Sequence, residues 1–378
     1  MSDKDLEKKV GQLLCVGIPE KQVSTNDLKL LNRVGVGGAI LFKKNYESVA
    51  QLVELTNSLQ KGVAAEAYRA LPLFIGVDQE GGRVQRFGDP FTIFPAMAKV
   101  GALNSAKTAF EVGYVLGKEL AAAGINLNFA PVVDVPLNME APGLGDRVFS
   151  VDPEVVAAMG SAVVRGIQKG GCVGVLKHFP GHGSANVDSH EDLPICKKTV
   201  EEFEALDWIP FRKCLRARAE AVMSAHIMVP AIDASKPATF SRKILQDYLR
   251  KELRHQKIIF SDDLEMGAIS KRYALKDAAF LAIDAGCDMI LICHDYAQIE
   301  DVWQHLVNAF KTGALSEKKL DESLVRIEDV KKKYLLPLKY ASKELATAMI
   351  GAPVFKAVAS AIVEGKTVEN GPSTQAAQ

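Results

Sequence analysis

Eight short apolar runs, separated by stretches with helical spacing, constrain the fold of this 378-residue chain more than any other feature. The runs are Gln12–Ile18, Gly37–Phe42, Leu73–Asp78, Asn126–Asp134, Val173–His178, Ala221–His226, Ile258–Asp262 and Cys287–Cys293. They are nearly continuous in Val, Ile, Leu and Phe, as strands buried on both faces of a parallel sheet must be. Helix signals fall between them. Asp152-Pro153-Glu154 supplies an N-cap, a first-turn proline and a first-turn acid. Thr199 to Glu202 forms a capping box ahead of Phe203, Leu206 and Phe211. Ser105–Ala123, Ser241–Leu253, Lys276–Ala285 and Tyr296–Phe310 mix apolar and polar residues at helical spacing. Alternation of this kind predicts an α/β protein built as a single (β/α)8 TIM-type barrel. A doubly wound sheet is the alternative, but no Gly-x-Gly-x-x-Gly turn follows the first run.

The barrel is expected over residues 1–335, closed by an amphipathic helix at Ser316–Tyr334. Residues 336–378 are expected to form a helical C-terminal extension: Ala341–Val363 is Ala-rich, whereas Gly365–Gln378 lacks a hydrophobic pattern and predicts a frayed tail. Charge is balanced, with 46 basic and 46 acidic residues, which disfavours nucleic acid or an anionic membrane as a partner. No apolar run approaches the roughly 18 residues of a membrane span, and Met1 to Lys9 lacks the apolar core of a signal peptide. The six cysteines show no Cys-x-x-Cys spacing. A cytoplasmic protein is the expectation.

Polar residues gather where strands end, and in a barrel those ends converge on one mouth. They include Asp78 and Glu80, Asp134, Lys177 and His178, His226, Asp262 and Asp263, and His294. The densest stretch, Lys177 to His190, holds three histidines and an aspartate. His178 and His182 are four apart, but Pro180, Gly181 and Gly183 argue against the helix that would align them on a metal. No His-Glu-x-x-His pattern is present, so no metal or other cofactor is expected. Asp188 and His190 alternate across one residue, so an extended backbone puts both on one side. A carboxylate beside an imidazole orients it and raises its pKa, suiting proton transfer; the bland alternative is a surface loop with turn-capping side chains. Asp262 and Asp263 follow a buried strand, where alternation points only one into the mouth. One is read as a carboxylate nucleophile or as the N-cap of the next helix. Arg86 and Arg147 are either solvated arginines or groups that bind hydroxyls, a carboxylate or a phosphate.

Lys177-His178-Phe179-Pro180-Gly181-His182-Gly183 with Asp188-Ser189-His190 resembles the signature of bacterial β-N-acetylhexosaminidases of glycoside hydrolase family 3. Gly76 to Arg86, Asn128 to Val135 and Phe260 to Leu264 fit the same family, and the resemblance runs from about Val10 to Tyr334. It implies a retaining hydrolase that releases terminal β-linked N-acetylglucosamine from glycans or from muropeptides in peptidoglycan recycling. Asp262 matches the nucleophile, His190 the acid/base and Asp188 its dyad partner. Asp78, Arg86, Arg147, Lys177 and His178 match the sugar-binding groups. Two departures stand out: Val148 replaces a serine frequent in the family, and the segment beyond Tyr334 matches nothing in the pattern. A glycoside phosphorylase using the same residues and a non-catalytic sugar-binding protein are the competing readings.

Overall fold

The computed structural model describes residues 3–63, 68–141, 143–184, 188–189 and 191–375. Ten strands are present among them: β1 (Leu14–Gly17), β2 (Gly38–Leu41), β3 (Phe74–Val77), β4 (Gln79–Gly81), β5 (Val84–Gln85), β6 (Leu127–Asn128), β7 (Val173–Phe179), β8 (Ala221–Ser224), β9 (Ile258–Asp263) and β10 (Met289–Ile292). Eight of these close into a parallel barrel in the order β1-β10-β9-β8-β7-β6-β3-β2, while β4 and β5 form a small hairpin beyond β3. The fold is a single (β/α)8 TIM-type barrel, and each apolar run contributes one barrel strand.

One run is cut short. The stretch Asn126–Asp134 pairs as β6 only over Leu127–Asn128, because Pro131 has no N–H to donate to a ladder. Beyond it the chain still tracks β7, with Val133 N–H donating to Lys177 O at 2.8 Å. This leaves Asp134 at the rim with its carboxylate on the end of β7 and the turn after it.

The helices begin where their caps predict. Asp152 accepts from Glu154 N–H at 2.8 Å ahead of the helix Pro153–Gly170. Thr199 N–H donates to Glu202 at 2.7 Å, and Glu202 N–H returns a bond to the Thr199 hydroxyl at 3.3 Å. Caps of this kind contribute about 1 kcal/mol each. Inside the barrel, Phe129 and Phe74 meet Phe260 edge-on, at ring-centroid distances of 5.6 and 6.5 Å. Each fully buried ring contributes about 1.5–3 kcal/mol. Gly76 is required for this packing, since a Cβ there would sit 2.8 Å from the Phe129 ring.

At the opposite, N-terminal end, the helix Glu317–Leu335 sends Lys331 under the barrel. Its Nζ donates to Gln12 Oε1 at 3.0 Å and to Gly37 O at 2.8 Å, and lies 5.1 Å from the centre of the Phe74 ring. No solvent reaches it.

The C-terminal extension contains the helices Lys343–Met349, Pro353–Val363 and Pro372–Gln375. Lys343–Val363 spans 21 residues at mean hydropathy 1.6, long and apolar enough to cross a membrane, which the apolar-run reading overlooked. The chain breaks between its two helices, where Gly351 adopts φ +74° and Pro353 starts the second. The longer helix therefore reaches only ~16 Å, about half a bilayer core. Its inner face buries Phe355, Val358, Ala359 and Ile362. Glu119 of the helix Ala106–Ala122 receives Gly351 N–H at 2.7 Å and Thr92 N–H at 2.9 Å. Where the pattern predicts fraying beyond Gly365, Ser373 N–H instead donates to Glu111 at 3.0 Å.

Candidate active site

At the C-terminal ends of the strands lies a cavity of about 660 Å³. Asp78, Arg86, Arg147, Lys177, His178, Asp188 and Asp262 all line it, although they come from five separate stretches of the chain. His190 lies outside the described residues.

One wall is a charge network. Lys177, buried at the end of β7, donates to Asp78 Oδ1 at 2.8 Å and lies 2.7 Å from Glu80 Oε1. Arg147 grips Glu80 with two bonds, Nε to Oε2 at 2.9 Å and Nη2 to Oε1 at 2.7 Å. Its third bond, from Nη1, goes to Gly143 O at 2.9 Å. Arg86 approaches the other oxygen of Asp78 at 3.5 Å. Burial alone would raise the Glu80 carboxyl, but the charges and hydrogen bonds of Arg147 and Lys177 hold it well below the usual carboxylate range. Glu80 is thus the anion on which two of the sugar-binding candidates are aligned.

A second carboxylate organises the turn after β7. Asp134 is fully buried and takes His178 Nδ1 at 2.7 Å and His182 N–H at 2.7 Å. Burial would raise it, but His178 and the His182 N–H hold it below its ordinary value. An acceptor at Nδ1 fixes that nitrogen as the protonated one and leaves His178 Nε2 for the cavity.

β9 ends in the two adjacent aspartates, and both line the cavity. The alternation argument placed only one there; the chain turns directly after Asp263, so the period of two no longer holds. Asp262 Oδ1 accepts Asp263 N–H at 2.8 Å, leaving Oδ2 as its freer oxygen. Burial opposes its charge, but His178, His226, Lys177 and that N–H together hold it below the ordinary aspartate value. Asp263 goes the other way. Burial, with the charges of Glu265 and Asp262, pushes it up to about 7 despite a bond from Glu265 N–H. Environment therefore divides the pair into one committed carboxylate and one group that shares a proton near neutrality. Neither caps the next short helix, Gly267–Ser270, whose N-cap is Met266. His226 Nε2–H donates to Asp263 O at 2.9 Å and braces the strand end.

Asp188 approaches from the loop after β7. A Cβ on Gly143 would fall 2.9 Å from its carboxyl carbon, so only glycine allows the two segments this close. Glu80 and Asp134 were visible in the sequence as rim polar groups, but their work is to hold Arg147, Lys177 and His178. No cluster of three or more metal-ligating side chains is found among the described residues.

A polar cavity at the mouth of a (β/α)8 barrel, lined by Asp262 at a strand end and Asp188 on a loop, is a setting in which glycosidases work. Residues 5–330 match the N terminal domain of glycosyl hydrolase family 3. The chain is 43% identical over 288 residues to a β-hexosaminidase of Nitrosomonas eutropha, covering 75% of this chain and 80% of that one. It superposes on a family 3 β-N-acetylglucosaminidase from Paenibacillus sp. str. FPU-7 with a TM-score of 0.91 at 35% identity, covering 96% of this chain and 68% of that one. NagZ from Neisseria gonorrhoeae, in complex with N-trifluoroacetyl-D-glucosamine, gives a TM-score of 0.75 at 32% identity, covering 94% and 98%. The chain belongs to glycoside hydrolase family 3 and is a glycosidase of the β-hexosaminidase type.

Proposed function

We propose that the protein removes terminal β-linked N-acetylglucosamine with retention of configuration, acting on muropeptide fragments during peptidoglycan recycling in the cytoplasm. The observation that carries this reading is Asp262: a strand-end carboxylate whose charged form is favoured, with Oδ1 accepting a backbone N–H, on the wall of a cavity of about 660 Å³. The N-acetyl sugar analogue bound by the gonococcal relative supports the sugar class. Six free, buried cysteines suit a reducing compartment.

In the first step Asp262 attacks the anomeric carbon while the bond to the leaving oxygen breaks and imidazolium His190 gives that oxygen its proton. This leaves a glycosyl ester on Asp262 and a neutral imidazole. In the second, His190 takes a proton from water as the water oxygen bonds to the anomeric carbon and the ester opens. Asp188 orients the ring and favours its charged form. Asp78, Arg86, Arg147, Lys177 and His178 hold the sugar hydroxyls. Arg147 and Lys177, already aligned on Glu80, lose little freedom on binding.

The roles are tested with aryl N-acetylglucosaminides of graded leaving-group ability. His190→Ala is expected to slow glycosylation most where the leaving group needs a proton; equal slowing of good and poor leaving groups removes His190 from the general-acid role. Following N-acetylglucosamine and its 1-phosphate, with and without added phosphate, separates hydrolysis from phosphorolysis.

A further inference from the structure

His182 is a histidine that the proposed reaction does not use. Its ring is 5% exposed, and neither Nδ1 nor Nε2 has a hydrogen-bond partner among the described residues. A buried polar group without a partner costs about 1–3 kcal/mol, a cost that an apolar side chain would avoid. The ring is nonetheless held firmly. The backbone N–H of His182 donates to Asp134 Oδ1 at 2.7 Å, and the ring meets that of His178 edge-on at 5.9 Å. Beside it is a cavity of about 20 Å³ whose walls include Arg147, His178, Asp188 and Asp262. A water needs roughly 10–15 Å³ and two to four polar partners, so the space fits one. Burial, reinforced by His178, outweighs the attraction of Asp134, Asp262 and Asp188 and brings the imidazole down to about 4. At neutral pH the ring then offers one donor and one acceptor.

We propose that His182 is a positioning residue for Asp188: the two share one water in this small cavity, and that bridge fixes the direction of the carboxylate. The inference rests on the reading of Asp188 as partner of His190. Asp188 and Arg147 line the same small cavity, and an ionised carboxylate can only accept, so the water donates to Asp188. Because His182 is not among the residues that line the main cavity, it acts on the proton donor and not on substrate affinity.

The test compares His182→Phe, Asp188→Asn and the double variant on an aryl N-acetylglucosaminide with a poor leaving group, as a function of pH. Loss of one bridging bond predicts a fall in kcat of about 3–10-fold with KM unchanged. The acidic limb should move as it does in Asp188→Asn, and the double variant should be no slower than Asp188→Asn alone. His182→Gln, which keeps a donor and an acceptor, should recover most of the loss. Wild-type kcat and pH profile in His182→Phe, or losses that multiply in the double variant, overturn the proposal while leaving the dyad intact. An Asp188→Asn enzyme with unchanged kcat and pH profile overturns the dyad reading and this inference together. A crystal structure of the wild-type protein reads the same claim without a variant. One water within hydrogen-bond reach of both His182 and Asp188 supports it, and a cavity without that water sinks it.

Discussion

Replacing Lys331 with methionine should remove a pH dependence of stability that the wild-type fold carries in its floor. Among the described residues the Lys331 ammonium has no carboxylate partner; it meets Gln12 Oε1, Gly37 O and the face of Phe74. Burial lowers it from 10.5 to about 7. Below pH 7 the lysine is charged in both folded and unfolded chains, and the full burial cost weighs on the native state. Between 7 and 10.5 the unfolded chain binds a proton that the native chain has released, so stability rises with pH. At 1.36 kcal/mol per pKa unit, the gain between pH 7 and pH 9 is about 2 kcal/mol, and about 4 kcal/mol over the whole window. Methionine keeps the stem's volume and removes the titration. Gly37 O keeps the Phe74 N–H as a donor, so only Gln12 Oε1 loses its partner. Urea denaturation of both proteins at pH 7 and pH 9 isolates the term, because every other titrating group is common to the two. The wild-type minus variant difference should grow by about 2 kcal/mol in favour of wild type. A difference that stays flat between the two pH values refutes the reasoning.

Glu80→Gln leaves Arg147 and Lys177 buried with Asp78 and, for Arg147, Asp134 to compensate; a loss of about 3–5 kcal/mol in denaturation and a raised KM are expected. Asp263→Asn removes a carboxyl whose native value, about 7, lies above its ordinary 3.8, so ionising it opposes folding as pH rises from 4 to 7. The variant should match wild type near pH 4 and exceed it by up to about 4 kcal/mol above pH 7, read from denaturation at both pH values. Prolonged chelation should leave turnover unchanged, with no stoichiometric transition metal by elemental analysis; loss restored specifically by zinc would return the metal reading of the 177–190 stretch.

The barrel was legible because strands covered on both faces must be apolar without interruption, and eight such runs leave few other folds open. The extent of β6 was not, since Asn126–Asp134 reads as one run until Pro131 is asked to donate to a ladder. Residues that hold other residues were also hard to read. Glu80 reaches Arg147 only through a contact 67 positions away in the chain, and nothing local marks it apart from a helix-capping or solvated acid. The two faces of Asp262 and Asp263 were misjudged for a related reason: a periodicity rule applies inside a strand and fails where the strand turns. The extension beyond residue 336 is held by Glu111, Glu119 and Asn57, three polar anchors on helices far upstream, so its own sequence carried little sign of where it docks.

The central claim is that Asp262 forms a covalent bond to the sugar. A 5-fluoro N-acetylglucosaminyl probe, followed by digestion and mass spectrometry, tests it most directly. The account predicts one glycosyl adduct on the peptide containing Ser261-Asp262-Asp263, with fragmentation placing it on Asp262. Asp262→Asn should give a folded protein that neither labels nor turns over. An adduct on Asp263 alone, together with an active Asp262→Asn enzyme, would contradict the claim.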